Sequence, residues 1–360
     1  MDGGPITLIR SAAVFYESLF SSLRSARQSV RSQVYLIEEG PLADEFKNIL
    51  TGLAKRGIRV DLIYDSVGCM NVSSLYFDEM QGEGVNVMEY NPVNPSRVPG
   101  PFSVRRLFRR NHRKVFVIDS HKYYLGGMNI GERFYDWADV MVSGESWPAH
   151  ELCESFDRTW SGKKYAWIKK TMPRKERLGN PIQVWDGRPT FENYPIKRLY
   201  LSAIKKSRQR VWIAQAYFIP RRRLMKALIH AVRKGVDVRV VVPDVSDVAL
   251  VDAAGWSALT RLIRHGVKVY RFEPSMLHSK MAMIDGDWVT VGTANLDSMS
   301  LYWNLEINLV ARGGTLVKEA EDVFAGYFAQ SREITLEEAE ARPLTLKLAG
   351  WLLNYFGWIL

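Results

Sequence analysis

The chain has few of the residues that build covalent or metal frameworks. Only two cysteines, Cys69 and Cys153, occur among its 360 residues. They offer neither a disulfide scaffold nor a cysteine metal cluster, and such sparse usage fits a reducing compartment. The N-terminus also lacks an apolar run that would serve as a signal peptide or a membrane span.

Positive charge, in contrast, is in excess. Lysine and arginine number 49 against 39 aspartates and glutamates, which gives a net charge of +10. This balance favours an anionic partner, either acidic lipid or nucleic acid, and charge alone does not separate the two. With 47% hydrophobic and 24% charged residues the chain is typical of globular proteins, and its length suits two domains.

The most informative pattern occurs twice. It reads His-x-Lys-x4-Asp, followed by glycine and then asparagine, and in both copies the asparagine lies 17 residues after the histidine. The residues are His112, Lys114, Asp119 and Asn129 in the first copy, and His278, Lys280, Asp285 and Asn295 in the second. Two copies with matched spacing make coincidence unlikely.

The spacing has a direct physical meaning. Residues 115–118 and 281–284 are short apolar runs typical of buried strands. Because residues i and i+2 of a strand share a face, the histidine and lysine of each copy point the same way. A second strand follows (residues 123–125 and 288–291), and the glycines at its end leave room for a ligand. Each copy thus supplies half of a phosphate site, and two facing copies supply a whole one.

The two halves of the chain repeat the same order of elements, which indicates an internal duplication. Lys-Arg-Gly-Ile-Arg-Val at 55–60 is echoed by Arg-Lys-Gly-Val-Asp-Val at 233–238, and Gly-Val-Asn-Val at 84–87 by Gly-Val-Lys-Val at 266–269. Strand and helix patterns alternate, as in a helix-flanked, largely parallel sheet. We predict an α/β fold divided into a first domain (1–160), a linker (161–195), a second domain (196–335) and a C-terminal tail (336–360).

An insertion precedes the first motif. The first half has sixteen extra residues, which fall around 91–111 and include bulky apolar groups among arginines. Such a mixture suits anionic headgroups and acyl chains together, although a solvated basic loop has the same composition. We predict that the arginines contact lipid headgroups; they are Arg105, Arg106, Arg109 and Arg110.

The tail after Pro343 is strongly apolar and contains Trp351, Tyr355 and Trp358. Aromatic residues of this kind sit at membrane interfaces, and the segment falls a little short of a full span of roughly 20 residues. We predict an interfacial helix or shallow anchor that brings Trp351 and Trp358 to the membrane. A helix packed on the body or on a partner subunit is the alternative.

The double motif resembles the signature of the phospholipase D superfamily. Within it the chain is most similar to bacterial cardiolipin synthases, particularly the short kind without N-terminal transmembrane helices. The likeness covers roughly residues 5–330 and is carried by 110–119, Gly-Gly-Met-Asn at 126–129, Trp-Ala-Asp at 137–139, Tyr-Phe-Ile-Pro at 217–220 and Met-Leu-His-Ser-Lys at 276–280. It implies two tandem repeats, each a mixed, mostly parallel sheet flanked by helices. They would be related by a pseudo-twofold axis, with the active site between them.

The resemblance also implies roles. His112 corresponds to the nucleophile and His278 to the general acid and base, with Asp139 and Glu306 as the acids that orient them. The catalytic set is then His112, Lys114, Asp119, His278, Lys280 and Asp285, with Asn129 and Asn295 on the phosphate; the two motif aspartates serve more as structural partners. Because the lysines already supply positive charge and no metal-ligand spacing accompanies the motifs, we expect no metal and no cofactor.

The function implied is phosphatidyl transfer. Phosphatidylglycerol would lose glycerol to form a phosphatidyl-His112 intermediate, and the hydroxyl of a second lipid, most simply another phosphatidylglycerol, would take the phosphatidyl group. The expected partners are anionic phospholipids at the cytoplasmic side of a bacterial inner membrane. Two alternatives stay open: a phospholipase that hydrolyses the lipid to phosphatidic acid, and a phosphodiesterase acting on nucleic acid, which the charge suits but the apolar tail does not require.

Overall fold

The computed structural model describes residues 6–94, 105–162, 181–188, 194–247 and 249–341. The strands are β1 (Ile6–Ile9), β2 (Ser29–Val34), β3 (Arg59–Asp65), β4 (Asn86–Tyr90), β5 (Val115–Ile118), β6 (Lys122–Gly126), β7 (Met141–Glu145), β8 (Ile182–Gly187), β9 (Arg210–Gln215), β10 (Asp237–Pro243), β11 (Lys268–Phe272), β12 (Lys280–Ile284), β13 (Trp288–Gly292), β14 (Glu306–Arg312) and β15 (Ser331–Glu333). The helices are α1 (Ala12–Arg24), α2 (Pro41–Lys55), α3 (Ser74–Gly82), α4 (Arg105–Phe108), α5 (Pro148–Trp160), α6 (Pro195–Lys206), α7 (Arg222–Arg233), α8 (Ala249–Ile263), α9 (Ser298–Tyr302), α10 (Gly314–Ala329) and α11 (Leu336–Glu340), with a 3-10 helix at Glu132–Asp136.

Two mixed sheets of matching topology form the body of the molecule. The first has the strand order β1-β7-β6-β5-β2-β3-β4, and the second has the order β15-β11-β10-β9-β12-β13-β14-β8. Strands β9 to β14 repeat the arrangement of β2 to β7. The predicted α/β fold with two tandem repeats is therefore confirmed.

The parallel part of each sheet is smaller than expected. Only the runs β2-β3-β4 and β9-β10-β11 are parallel, and their remaining neighbours pair antiparallel. The reason is the motif hairpins, β5–β6 and β12–β13, whose strands are joined by three-residue turns at 119–121 and 285–287. A turn this short cannot make the crossover that a parallel pair needs.

One strand of the second sheet lies inside the predicted linker. β8 pairs antiparallel with β14, as β1 pairs with β7 at the edge of the first sheet. The second sheet therefore begins before residue 196, and the segment between the halves contributes structure. The rest of the proposed linker, and residues 342–360 of the proposed tail, fall largely outside the described residues.

Three apolar cores hold the sheets and helices together. One lies under α1, α2 and α3 against the first sheet, and a second packs α6, α7 and α8 against the second. The third lies between the sheets and contains side chains of both motif strands, Val115 and Val117 of β5 and Met281 and Met283 of β12. The two lobes therefore share a core, which fixes the position of one motif relative to the other.

Helix ends follow the local sequence closely. α2 begins with Pro41 at its first turn and buries Leu42, Phe46 and Leu50 on one face. It is followed by Gly57 with φ of 80°, and the echoed Gly235 has φ of 84° after α7. A left-handed residue just past a helix is the position where glycine carries no steric penalty. Among the described residues, no helix is both long and apolar enough to cross a bilayer.

Candidate active site

Each motif leads directly into a buried central strand. β5 lies between β2 and β6, β12 lies between β9 and β13, and every residue of these two strands is buried. His112 and Lys114 precede β5 on one face of the extended chain, whereas Arg113 points the other way. Lys114, Arg113 and Lys280 are fully buried, while the two histidines retain slight exposure. Both His-Lys pairs thus occupy the same end of the paired sheets.

Backbone bridges join the motifs across the lobes in a reciprocal way. The amide of His112 donates to the carbonyl of Leu305 at 3.0 Å, and the amide of His278 donates to the carbonyl of Ala138 at 2.8 Å. The amides of Leu305 and Ala138 in turn donate to the carbonyls of Arg110 and Met276 at 2.8 and 2.9 Å. The pseudo-twofold axis therefore passes between the two motifs.

Each histidine contacts an acid from the opposite lobe. Nδ1 of His112 lies 3.0 Å from Oε1 of Glu306, and Nδ1 of His278 lies 2.5 Å from Oδ2 of Asp139. Burial by itself raises the pKa of Glu306, but His112, Lys114 and the Thr293 hydroxyl together outweigh it, and the net pKa is lowered. A carboxylate accepts the Nδ1 proton of a neutral imidazole, so the Nε2 lone pair of His112 is left available to a substrate.

The lysines bring positive charge into a dehydrated site. Nζ of Lys114 donates to the carbonyl of His112 at 2.9 Å, and Nζ of Lys280 makes the same contact with His278. Burial, reinforced by repulsion from Lys280, holds the pKa of Lys114 well below its ordinary value. Burial also lowers the pKa of Lys280 to about 8. The protonated forms of both lysines are thus destabilised until an anion binds between the lobes.

Burial keeps both imidazoles neutral in the absence of substrate. It lowers the pKa of His278 to about 4, with Lys280 acting in the same direction and Asp139 against it. Burial also lowers the pKa of His112 despite the attraction of Glu306. A neutral imidazole is the form that can attack phosphorus or accept a proton.

A cavity of about 170 Å³ opens beside His112. Asn295 lines it, and the Oδ1 atoms of Asn295 and Asn129 have no hydrogen-bond partner among the described residues although both side chains are buried. Buried polar atoms without partners are uncommon and mark places where a ligand supplies the missing contact. The cavity is lined by Tyr35, Arg110, His112, Tyr217, Ile219, Asn295, Asp297, Met299, Ser300 and Asn304.

This geometry agrees with the comparison with known families. The family described as "Cardiolipin synthase, PLD-like domain" matches residues 19–160 and 200–328, which include both motifs. The chain belongs to the cardiolipin synthase family of phospholipase D-like enzymes. It is accordingly an enzyme of the phosphatidyltransferase class, as the resemblance of the motifs implied.

Several relatives share this architecture. Cardiolipin synthase A of Yersinia pestis is 31% identical, with the alignment covering 98% of this chain and 75% of the relative. The cardiolipin synthase of Geobacillus kaustophilus is 28% identical over 96% of this chain and 71% of its own. The crystal structure of a Haemophilus influenzae phosphatidylserine synthase superposes with a TM-score of 0.78, covering 99% of this chain and 95% of that one. At 14% identity this last match establishes the fold only.

The cardiolipin synthase family site contains groups that sequence reasoning did not single out. The Tyr35 ring lies 4.6 Å from the His112 ring, and the Trp137 ring lies 4.9 Å from the His278 ring. Burial raises the pKa of Asp297, on the cavity wall, to about 7. Trp137 and Tyr217 belong to segments that carried the family resemblance, which was the available signal. Tyr35 had none, because it reaches His112 only through folding.

The motif aspartates lie away from the reacting groups, so their inclusion in the catalytic set is corrected. Asp119 and Asp285 follow β5 and β12, at the opposite strand ends from the histidines. The Asp119 carboxylate accepts the backbone amides of residues 27–29, and Asp285 accepts those of residues 208–210. Both have positive φ, 51° and 56°. They close the motif hairpin onto the neighbouring strand, in line with the structural role that the resemblance favoured.

The proposed headgroup arginines separate into different environments. Arg110 is buried, pairs with the buried Asp65 at 3.4 Å and lines the cavity beside His112, so it does not lie on an exposed membrane-facing surface. Its guanidinium also donates to the carbonyl of Asn91, which fastens the insertion beside His112. Arg106 is half-buried and Arg109 is exposed. The side chain of Arg105, together with Trp351 and Trp358, lies outside the described residues.

Proposed function

We propose that this enzyme is a cardiolipin synthase. It transfers the phosphatidyl group of phosphatidylglycerol to the hydroxyl of a second phosphatidylglycerol and releases glycerol. The observation that carries the proposal is the convergence, from two lobes, of two imidazoles with opposite-lobe acids and two buried lysines. Such a set can bind one phosphodiester and react on both of its faces.

The first half-reaction forms a covalent intermediate. Nε2 of His112 attacks the phosphorus while the bond to the glycerol oxygen breaks, and the phosphatidyl group becomes attached to the imidazole. The negative charge of the bound diester offsets the lysines, so that His278 takes up a second proton from solvent as the substrate binds and delivers it to the departing oxygen. Lys114, Lys280 and the two asparagines bear on the equatorial oxygens, where charge accumulates.

The second half-reaction returns the histidines to their starting state. Neutral His278 accepts the proton from the hydroxyl of the second lipid, whose oxygen attacks the phosphorus as the bond to His112 breaks. Transfer requires that an alcohol rather than water occupy this position. The burial of both His-Lys pairs supports exclusion of water, since none of the four residues is more than 8% exposed.

We further propose that the active-site end of the molecule docks on an anionic membrane at the cytoplasmic face. Exposed apolar and cationic side chains lie around that end: Leu107 and Arg109 precede His112, Met70 follows β3, and Val245 follows β10. Anionic lipid attracts the cation and the acyl region accepts the apolar groups. These residues replace Arg110 in the predicted contact surface.

The test is incubation of the purified protein with phosphatidylglycerol vesicles, following cardiolipin, glycerol and phosphatidic acid. We expect cardiolipin and glycerol in equal amounts, and no cardiolipin from His112→Ala. Phosphatidic acid as the main product would identify a hydrolase instead. Labelled phosphate on His278 rather than His112 in the wild-type protein would reverse the histidine roles. Release of nucleotides from single-stranded DNA without any lipid turnover would point to a nuclease.

A further inference from the structure

The residue between the histidine and lysine of each motif faces away from the catalytic cleft. It is Arg113 in the first motif and Ser279 in the second, and both are fully buried. An extended chain turns such a residue to the side opposite its two neighbours. Both therefore contact the opposite lobe rather than the reacting phosphate.

These two side chains make equivalent contacts. Nε of Arg113 donates to the carbonyl of Glu306 at 3.2 Å, and Oγ of Ser279 donates to the carbonyl of Ala138, immediately before Asp139, also at 3.2 Å. Glu306 contacts His112, and Asp139 contacts His278. Arg113 thus contacts the backbone of the acid that orients the histidine beside it, and Ser279 contacts the backbone one residue before such an acid.

Arg113 extends this contact into a buried network. One guanidinium nitrogen donates to the hydroxyl of Thr159 on α5 at 3.1 Å, and another pairs with Asp186 of β8. β8 is the strand that pairs with β14, the strand that begins at Glu306. The Arg113 side chain therefore links the start of β14 to α5 of the first lobe and to β8, the edge strand that pairs with β14.

We propose that Arg113 is a positioning residue for His112 and acts through Glu306. The planar guanidinium reaches three acceptors in different directions at once, which an ammonium group cannot reproduce. If the backbone of Glu306 shifted, its carboxylate would no longer be aligned with Nδ1 of His112. The imidazole would then lose its fixed tautomer and orientation. This inference rests on the proposed role of His112 as a reacting group, and Ser279 serves His278 in the same way.

The direct test compares Arg113→Lys with Thr159→Val. Lysine keeps the positive charge opposite Asp186, but it lacks the guanidinium nitrogen that donates to the carbonyl of Glu306. Valine removes one hydroxyl of the same network and leaves the bond between Arg113 and Glu306. We expect Arg113→Lys to lower kcat about tenfold to a hundredfold with little change in KM. Thr159→Val should lower the melting temperature with kcat within about twofold of wild type.

A double-mutant cycle separates positioning from a general loss of structure. In a Glu306→Gln background, Arg113→Lys should lower kcat by no more than about twofold further, because the route through the acid is already lost. If the two substitutions lower kcat by independent factors that multiply, the proposal is overturned. It is also overturned if the loss of kcat in Arg113→Lys only follows the loss of melting temperature. If Arg113→Lys does not fold, the same cycle on Ser279→Ala and Asp139→Asn decides the question.

A measurement on the free enzyme tests the positioning role of Arg113 separately from the proposed reaction. Selective ¹⁵N labelling of histidine should show His112 with the proton fixed on Nδ1 in the wild-type protein. In Arg113→Lys the two tautomers should mix, whatever lipid the enzyme uses. An unchanged His112 signal in a folded Arg113→Lys variant would exclude the positioning role even if phosphatidyl transfer is confirmed.

Discussion

At the scale of single residues, the site is governed by the burial of charge. Two ammonium groups and two imidazoles share a space from which water is largely removed, and burial lowers the pKa of all four. The folded protein holds this arrangement because opposite-lobe carboxylates and backbone carbonyls satisfy the groups. A diester anion relieves the remaining imbalance, which gives substrate binding an electrostatic driving force.

The lowered pKa of Lys280 predicts a basic limit to activity. Because this lysine loses its proton near pH 8 in the free enzyme, kcat/KM for phosphatidylglycerol should fall as the pH rises above about 8. Arginine keeps its charge beyond pH 12, so a Lys280→Arg variant should lose the contribution of Lys280 to this limb, and the profile should change to that of Lys114, whose pKa is also lowered. A basic limb that persists unchanged in Lys280→Arg would assign the titration to another group.

Asp119 should matter for stability and not for chemistry. Its carboxylate accepts three backbone amides, and Asp119→Asn should lower the free energy of unfolding by about 1–2 kcal/mol. The kcat of the folded variant should equal that of wild type. Urea denaturation and transfer assays on the same preparation measure both quantities.

The stability effect of Asp119 should also depend on pH in a defined direction. Burial by itself raises the pKa of Asp119, but the backbone amides outweigh it and the net pKa is lowered. A lowered folded-state pKa means that the contribution is present above about pH 4, the unfolded value, and is lost as the pH falls through the folded value. The gap between wild type and Asp119→Asn should therefore close below pH 4, and a constant gap would contradict this account.

At the scale of elements, two short hairpins decide where the chemistry lies. β5–β6 and β12–β13 carry the histidine and lysine at one end and the aspartate at the other. The aspartates lock the closed ends onto β2 and β9, and the open ends meet across the lobes. The same local pattern therefore serves stability at one end of a strand and reactivity at the other.

The insertion that ends at His112 should guide the enzyme to its membrane. Leu107 is 42% exposed and Arg109 is also exposed, whereas the exposed Arg208 lies beside Asp285, at the strand ends opposite the histidines, and provides a control. Leu107→Ser should weaken binding to phosphatidylglycerol vesicles. Arg109→Glu should weaken it by about 2 kcal/mol, or about 30-fold, at about 1 kcal/mol for each unit of charge, whereas Arg208→Glu should weaken it less. Sedimentation with vesicles measures the affinity, and equal losses for the two arginine variants would contradict the proposed surface.

At the scale of the whole molecule, the shared core makes the two lobes one cooperative unit. Side chains of β5 and β12 belong to one core between the sheets, strands β6 and β7 contact β13 and β14, and the backbone bridges at Leu305 and Ala138 join the same two lobes. A site completed by both lobes requires this coupling, since a small displacement of one motif would separate the reacting groups.

This coupling predicts a single unfolding transition. Met281→Ala, in the shared core, should lower stability by about 2–5 kcal/mol. The loss should speed hydrogen exchange equally for amides of β3 in the first lobe and β10 in the second. Calorimetry that resolves two transitions, or exchange that accelerates only in the second lobe, would show that the lobes unfold separately.

Several features of the molecule were predictable from local pattern. The apolar runs at 115–118 and 281–284 became most of β5 and β12, and the echoed segments at 55–60 and 233–238 end α2 and α7 with a left-handed glycine. The repeated motif predicted two lobes and a shared site. In each case the deciding information lies within about twenty residues, because strand alternation, helical period and the left-handed preference of glycine are local properties.

What the sequence by itself determined is the pair of half-sites and the class of chemistry that they carry. The tertiary structure alone decided that β8 pairs with β14 and that Arg110 turns inward to Asp65. It also decided that Arg113 and Ser279 hold the acids of the opposite lobe. These features depend on contacts between residues far apart in the chain, and such contacts form only when the shared core brings the two lobes together.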